Sequence, residues 1–311
     1  MVERDSNTRS DRRTQSLTCE DGRIIGFGEF GADSGVPVIY LHGLPGSRFE
    51  AGLWEAEATA LNIRLIAPDR PGIGLSTRNP GLKLPDYSKD VARLAAHLGL
   101  SQYNILAISG GAPYAIACAM HREDLSGLQR VGVVAGLGPR DVAQKGMSLS
   151  QRLSFYAMDW LPSGAVRWLW DTMLGNLARS EDTTALEKAL RKSFSSLKPQ
   201  DVELCEDEAA FRAIVASMRG AFAEGSQGYV DDATIISKPW GFDLAEVRGG
   251  PTLLWYGEHD DLAPPGVGKA VAEKIPGAAF QVFAGETHFC TVLKHQKEIL
   301  TALCSLADSQ D

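Results

Sequence analysis

Asn104-Ile-Leu-Ala-Ile-Ser109-Gly-Gly-Ala-Pro-Tyr114 reads as a buried strand that ends abruptly at a serine and turns straight into a helix. Two backbones pass close together at such a turn, so the positions two before and two after the serine must be small. They are Ala107 and Gly111. The serine is left on a sharp, strained bend at the edge of a sheet with its hydroxyl projecting, the arrangement of a nucleophile elbow. The usual form of this motif begins with glycine, and this one begins with alanine. A serine that only caps the following helix is the alternative. Pro113 falls in the first turn of that helix, where proline is tolerated.

On either side of this stretch, apolar runs alternate with helical patterns. The runs are Val36 to Leu41, Ile63 to Ala67, Tyr103 to Ile108, Val131 to Val134, Thr252 to Tyr256 and Phe280 to Phe283. Short, nearly continuous apolar strands are what a parallel sheet covered on both faces requires. Residues 16–20 and 23–29 form a hairpin-like pair around Asp21-Gly22. Tyr87 to Leu98 has helical spacing in Val91, Leu94, Ala95 and Leu98. The pattern predicts an α/β fold, a mostly parallel central sheet flanked by helices, with an antiparallel start. The alternation breaks over 141–234, where apolar residues recur at a helical period: Leu149, Leu153, Tyr156 and Trp160, then Val166, Trp170, Met173, Leu174 and Leu177, then Phe211, Ile214, Val215, Met218 and Phe222. This segment is expected to be an all-helical cap, its stripes mostly packed. Residues 15–140 and 235–311 form the core, and 1–14 a disordered lead-in.

Bulk properties narrow the classes of function. The chain has 311 residues, 44% apolar and 23% charged, an ordinary globular composition. A net charge of -8 and a pI near 5.3 argue against nucleic acid and anionic membrane surfaces as partners. No apolar run is long enough to span a bilayer, and Met1 to Arg13 lack the apolar segment of a secretory signal. Five scattered cysteines (Cys19, Cys118, Cys205, Cys290 and Cys304) lack metal-ligand spacing and fit a reducing cytoplasm. No metal or cofactor is expected. Gly72-x-Gly74 is too short, and follows the wrong kind of strand, for a dinucleotide loop.

Serine is a weak nucleophile unless a base takes its proton, and an acid must hold that base in the right tautomer. Ligands of open α/β sheets bind beyond the carboxyl ends of the strands, so the partners are sought just after late strands. Thr252 to Tyr256 is followed by Gly257-Glu-His-Asp260-Asp-Leu-Ala-Pro264, and Phe280 to Phe283 by Ala284-Gly-Glu-Thr-His288. Asp260 is the candidate acid, with Glu258, Asp261 and the more distant Asp141 as rivals. Among the six histidines only His288 follows the last strand. His97 and His121 sit in helical stretches, His295 lies late in the chain, and His259 is on the acid's loop.

The order Ser109, Asp260, His288 resembles that of the α/β-hydrolase superfamily, in its single-domain form with a helical cap. Leu41-His-Gly-Leu-Pro-Gly-Ser-Arg48 is similar to the family's His-Gly-x-Pro-Gly loop, and Asp69-Arg-Pro-Gly-Ile-Gly-Leu-Ser76 to its Asp-x-x-Gly-x-Gly-x-Ser loop. Pro239-Trp-Gly-Phe242 resembles a segment of uncharacterised members. The resemblance covers roughly residues 20–140 and 235–305. It implies a serine hydrolase acting on a small-molecule ester, lactone or thioester, with an oxyanion hole made by the amides of Leu44 and Gly110. A tight turn without that role is the alternative for the loop. Arg48 is a candidate substrate contact, with a loop-bracing ion pair as its alternative, and Asp69 and Arg70 are expected to be structural. Ser109 stands where dehalogenases and epoxide hydrolases of this fold carry a carboxylate. Lyase or cyclase chemistry on the same three residues, and a receptor with little turnover, remain as other readings.

Overall fold

The computed structural model describes residues 12–143, 149, 152–153, 160–195, 197–204, 206–248 and 250–305. Eight strands form one sheet: β1 (Gln15–Thr18), β2 (Ile24–Gly31), β3 (Val36–Leu41), β4 (Ile63–Pro68), β5 (Tyr103–Ile108), β6 (Leu128–Val134), β7 (Thr252–Gly257) and β8 (Ala279–Phe283). Their spatial order is β1-β2-β4-β3-β5-β6-β7-β8. β1 and β2 are antiparallel and so are β2 and β4, while every other pairing is parallel. The β1–β2 hairpin turns at Gly22 with φ +80, a conformation glycine adopts without steric cost.

Side chains alternate between faces along a strand, so an apolar run supplies two cores at once. Ile39, Leu41, Ile105, Ala107, Val131 and Val133 face one way, against helices Tyr87–His97, Ala112–Met120 and Pro265–Ala272. Val38, Tyr40, Leu106, Ile108 and Val134 face the other, against helix Gln296–Cys304 and the Arg48–Trp54 segment. That two-sided burial is why the strands read as continuous apolar runs and not as an alternation. β3 lies between β4 and β5, so the connections leave it in opposite directions. The carboxyl ends of β3 and β5, where Leu41 pairs with Ala107, thus form a topological switch point.

The insertion between β6 and β7 is helical, with helices Ser163–Trp170, Thr184–Phe194, Pro199–Leu204, Glu208–Ala221 and Gln227–Ser237. Among the described residues it has no strand. Its own core joins Leu186, Leu190, Phe194, Phe211, Val215 and Phe222. The stripes depart from expectation at Leu149, Leu153, Trp160 and Met173, which are exposed; Tyr156 lies outside the described residues. At Met173 the reason is a π turn over Asp171–Gly175, which adds a residue to one turn and shifts the phase of the stripe. Residues 1–11 of the expected lead-in lie outside the described residues. Arg12 is ion-paired with Asp33 and Glu29, and Arg13 with Glu55 at 2.5 Å.

Candidate active site

β5 ends with Ile108 in extended geometry, φ -112 and ψ 132, and the next residue, Ser109, has φ +49. A non-glycine residue in the left-handed region is strained, and the turn then continues directly into helix Ala112–Met120. Gly111 is required by close approach: a Cβ there would stand 2.3 Å from the Leu41 carbonyl oxygen. The alanine at the first elbow position is accommodated, because Ala107 lies fully buried between β3 and β6 in the core. Ser109 keeps partial exposure at the rim of the sheet.

Asp260 is buried after β7, and both its oxygens are engaged. Oδ1 accepts the amides of Leu262 and Ala263 at 2.8 and 2.7 Å, and Oδ2 accepts His288 Nδ1 at 2.7 Å. With Nδ1 committed as a donor, the neutral imidazole carries its lone pair on Nε2, the tautomer of a base. Among the described residues, His288 and Asp260 are joined by a hydrogen bond and Ser109 and His288 are not. The other candidate acids are placed elsewhere. Glu258 accepts the Gly285 amide at 2.8 Å, Asp261 pairs with Lys198, and Asp141 is exposed in the short helix Arg140–Ala143. His259 is exposed and His295 stacks on Phe283.

The loop after β3 brings Leu44 against the elbow. Its backbone nitrogen is 3.2 Å, and its Cβ 2.7 Å, from where a Cβ on Gly110 would stand. Two groups hold this loop, Glu50, which the sequence did not single out, and Arg70, expected only to be structural. Glu50 Oε1 accepts the Gly43 amide at 2.8 Å and the Tyr40 hydroxyl at 3.0 Å. Glu50 Oε2 and Ser109 Cβ lie 3.2 and 3.6 Å from the same point, the position of a Cβ on Gly43. Burial pushes the Glu50 carboxyl up to about 6, against the pull of its two donors and the nearby Arg70 and His288. Arg70 is the second group. It is 1% exposed, and donates to the carbonyls of His42 and Gly43, the latter at 2.8 Å. His42 Nδ1 also meets the Gly43 carbonyl, at 2.9 Å, and burial beside Arg70 holds this imidazole well below its ordinary pKa, hence neutral.

Arg48 is a brace. Its guanidinium meets buried Asp69 at 2.6 Å and donates to the Arg13 carbonyl at 2.9 Å, while its amide donates to Asp69 at 2.8 Å. The guanidinium is thus engaged in the loop-bracing ion pair that was the alternative to a substrate contact.

The cap is tied to three loops of the site, those after β3, β7 and β8. Ser47 and Ser217 exchange two hydrogen bonds, Lys198 Nζ reaches the His259 carbonyl and Asp261, and Thr287, beside His288, donates to Asp201. A cavity of about 260 Å³ opens between cap and core, lined by Leu197, Lys198, Asp201, His259, Thr287 and His288. Phe289 stands edge-on to His288 and to Phe194 of the cap, so one side of the imidazole is packed against aromatic rings.

Known proteins share this architecture. The sequence model of the alpha/beta hydrolase fold family matches residues 36–293. The uncharacterized hydrolase YcgS of Bacillus subtilis (strain 168) is 24% identical over 96% of this chain and 99% of its own. The non-heme chloroperoxidase CPO-A1 of Kitasatospora aureofaciens is 25% identical over 90% and 94%. The crystal structure of the esterase RhEst1 from Rhodococcus sp. ECU1013 superposes with a TM-score of 0.65 at 21% identity, covering 94% of this chain and 99% of that one. With the match extending from β3 beyond His288, this chain belongs to the α/β-hydrolase family.

Proposed function

We propose that the protein is a serine hydrolase that cleaves a small, largely apolar ester, lactone or thioester through an acyl-enzyme on Ser109. The observation that carries this reading is the 2.7 Å bond from Asp260 to His288 Nδ1, with the acid's other oxygen tied to two amides. That bond leaves imidazole Nε2 available as the base for Ser109, which has φ +49 at the turn after β5. His288 Nε2 takes the Ser109 Oγ proton as Oγ attacks the carbonyl carbon, and Asp260 stabilises the imidazolium that forms. The amides of Leu44 and Gly110 receive the developing oxyanion. The imidazolium then returns its proton to the leaving alcohol or thiol. Water, deprotonated by the same nitrogen, attacks the acyl carbon, and the imidazolium gives its proton to the departing Ser109 Oγ as the acid is freed. The aromatic pair Phe289 and Phe194 beside the imidazole supports an apolar acyl or leaving group, as does the likeness to an esterase.

Turnover of a p-nitrophenyl butyrate substrate in heavy-oxygen water tests this directly. One labelled oxygen is expected in the butyrate product, with Ser109→Ala inactive. Full activity in Ser109→Ala would remove the nucleophile from this account, and a product formed without label would point to chemistry other than hydrolysis.

A further inference from the structure

Arg70 and the Gly43–Leu44 peptide are built as one unit. The Gly43 carbonyl and the Leu44 N–H belong to the same planar trans peptide, so they point in opposite directions. The carbonyl is held from the inner side by Arg70 Nη2 at 2.8 Å and by His42 Nδ1 at 2.9 Å. His42 is neutral and its Nε2 faces the Arg70 amide at 3.4 Å, so Nδ1 is the protonated nitrogen and donates. The opposite edge of the peptide, the Leu44 N–H, faces Gly110. A peptide turned the other way would lose both donors and aim a carbonyl oxygen at the elbow.

Arg70 is in turn held by the cap. Asp232, on helix Gln227–Ser237, is 2% exposed and meets Arg70 Nε at 2.8 Å and Nη2 at 2.7 Å through Oδ2. Its Oδ1 accepts the Tyr114 hydroxyl at 2.5 Å, and the Arg70 guanidinium lies 5.1 Å from the Tyr114 ring centre. Tyr114 belongs to the helix that the elbow opens. A cap carboxylate, a core arginine and the oxyanion loop are thus linked by charge-assisted hydrogen bonds among buried groups, where such bonds are strongest.

We propose that Arg70 is a positioning residue that orients and polarises the Leu44 N–H, and that Asp232 couples the seating of the cap helix to the formation of the oxyanion hole. The proposal rests on the reading of Leu44 as an oxyanion donor. A cationic donor on the carbonyl withdraws electrons from the peptide and strengthens the N–H as a donor on its far side. An apolar substrate gains nothing from this in the ground state, because the benefit arises only when the oxyanion develops.

The test uses Arg70→Lys, Asp232→Asn and Tyr114→Phe with a p-nitrophenyl ester and an alkyl boronic acid that adds to the serine as a transition-state mimic. Arg70→Lys is expected to lower kcat on the order of 100-fold, as loss of an oxyanion donor does, and Asp232→Asn about 10-fold by the same route, with KM little changed. Boronate affinity should fall in the same ratio as kcat/KM across the series, while inhibition by the carboxylic acid product stays constant. Tyr114→Phe keeps both charges and serves as the folded control if the charge variants prove unstable; it should lose less, in the same proportion on both readouts. Folded variants with unchanged kcat and boronate affinity would overturn the proposal while leaving the acyl-enzyme reading intact. A rise in KM at constant kcat would also overturn it, by assigning Arg70 to substrate binding. Activity persisting in Ser109→Ala would instead remove the reading beneath it.

Discussion

Replacing Glu50 by glutamine is expected to make the folded protein more stable at neutral pH. The carboxyl's ordinary value is 4.5, and in the fold it rises to about 6, chiefly through burial. At about 1.4 kcal/mol per pKa unit, this displacement is worth roughly 2 kcal/mol. Its sign follows from which state binds more protons. Between pH 4.5 and 6 the folded state holds the proton more tightly, so native stability falls as pH rises through that window, and above it the full cost is present. Glutamine removes the charge while its carbonyl can still accept the Gly43 amide and the Tyr40 hydroxyl. The residue keeps partial solvent contact, which makes about 2 kcal/mol an upper value. Urea unfolding of both proteins at several pH values reads the effect: Glu50→Gln should gain stability above pH 6 and converge with wild type near pH 4.5. A variant less stable than wild type at pH 8 would refute the reasoning, by showing that Arg70, His288 and the two donors outweigh burial.

Other perturbations separate the roles of neighbouring residues. Gly110→Ala places a methyl 2.7 Å from Leu44 Cβ and should displace the loop, lowering kcat on the order of 100-fold in a folded protein; unaltered ester turnover would remove Leu44 from the oxyanion hole. Arg48→Met leaves Asp69 buried without its cation and should cost about 3–5 kcal/mol in denaturant titrations, with KM unchanged for neutral and carboxylate-bearing esters alike. A KM increase confined to the anionic ester, at full stability, would return Arg48 to substrate binding. Ser109→Gly relieves the left-handed strain, roughly 1–2 kcal/mol, less about 0.5–1 for the freer glycine chain. It should therefore melt above the equally inactive Ser109→Ala, and equal melting temperatures would deny stored strain at φ +49.

Much of this was legible in the chain because parallel strands buried on both faces leave continuous apolar runs, and β3, β4, β5 and β7 start where the runs start. β6 and β8 begin earlier than their runs, at Leu128 and Ala279, because polar Gln129 and Arg130 and the small Ala279 interrupt the signal. The candidate acid and base were legible from their places after late strands, and the structure brings Asp260 and His288 together. Glu50 left no such trace, since only the folded loop turns it back under Gly43. Arg70 and Asp232 are 162 positions apart and belong to patterns that each look structural in isolation. In the cap, helical period alone could not say which face would pack, and the π turn at Asp171–Gly175 broke the period where Met173 was expected inside.

The most direct measurement is the mass of the protein after reaction with a fluorophosphonate, with the modified peptide sequenced. A single phosphonyl group on Ser109 is expected, formed slowly or not at all in His288→Ala. Modification of a different residue, or an unmodified Ser109 in a preparation that turns over esters, would contradict the account.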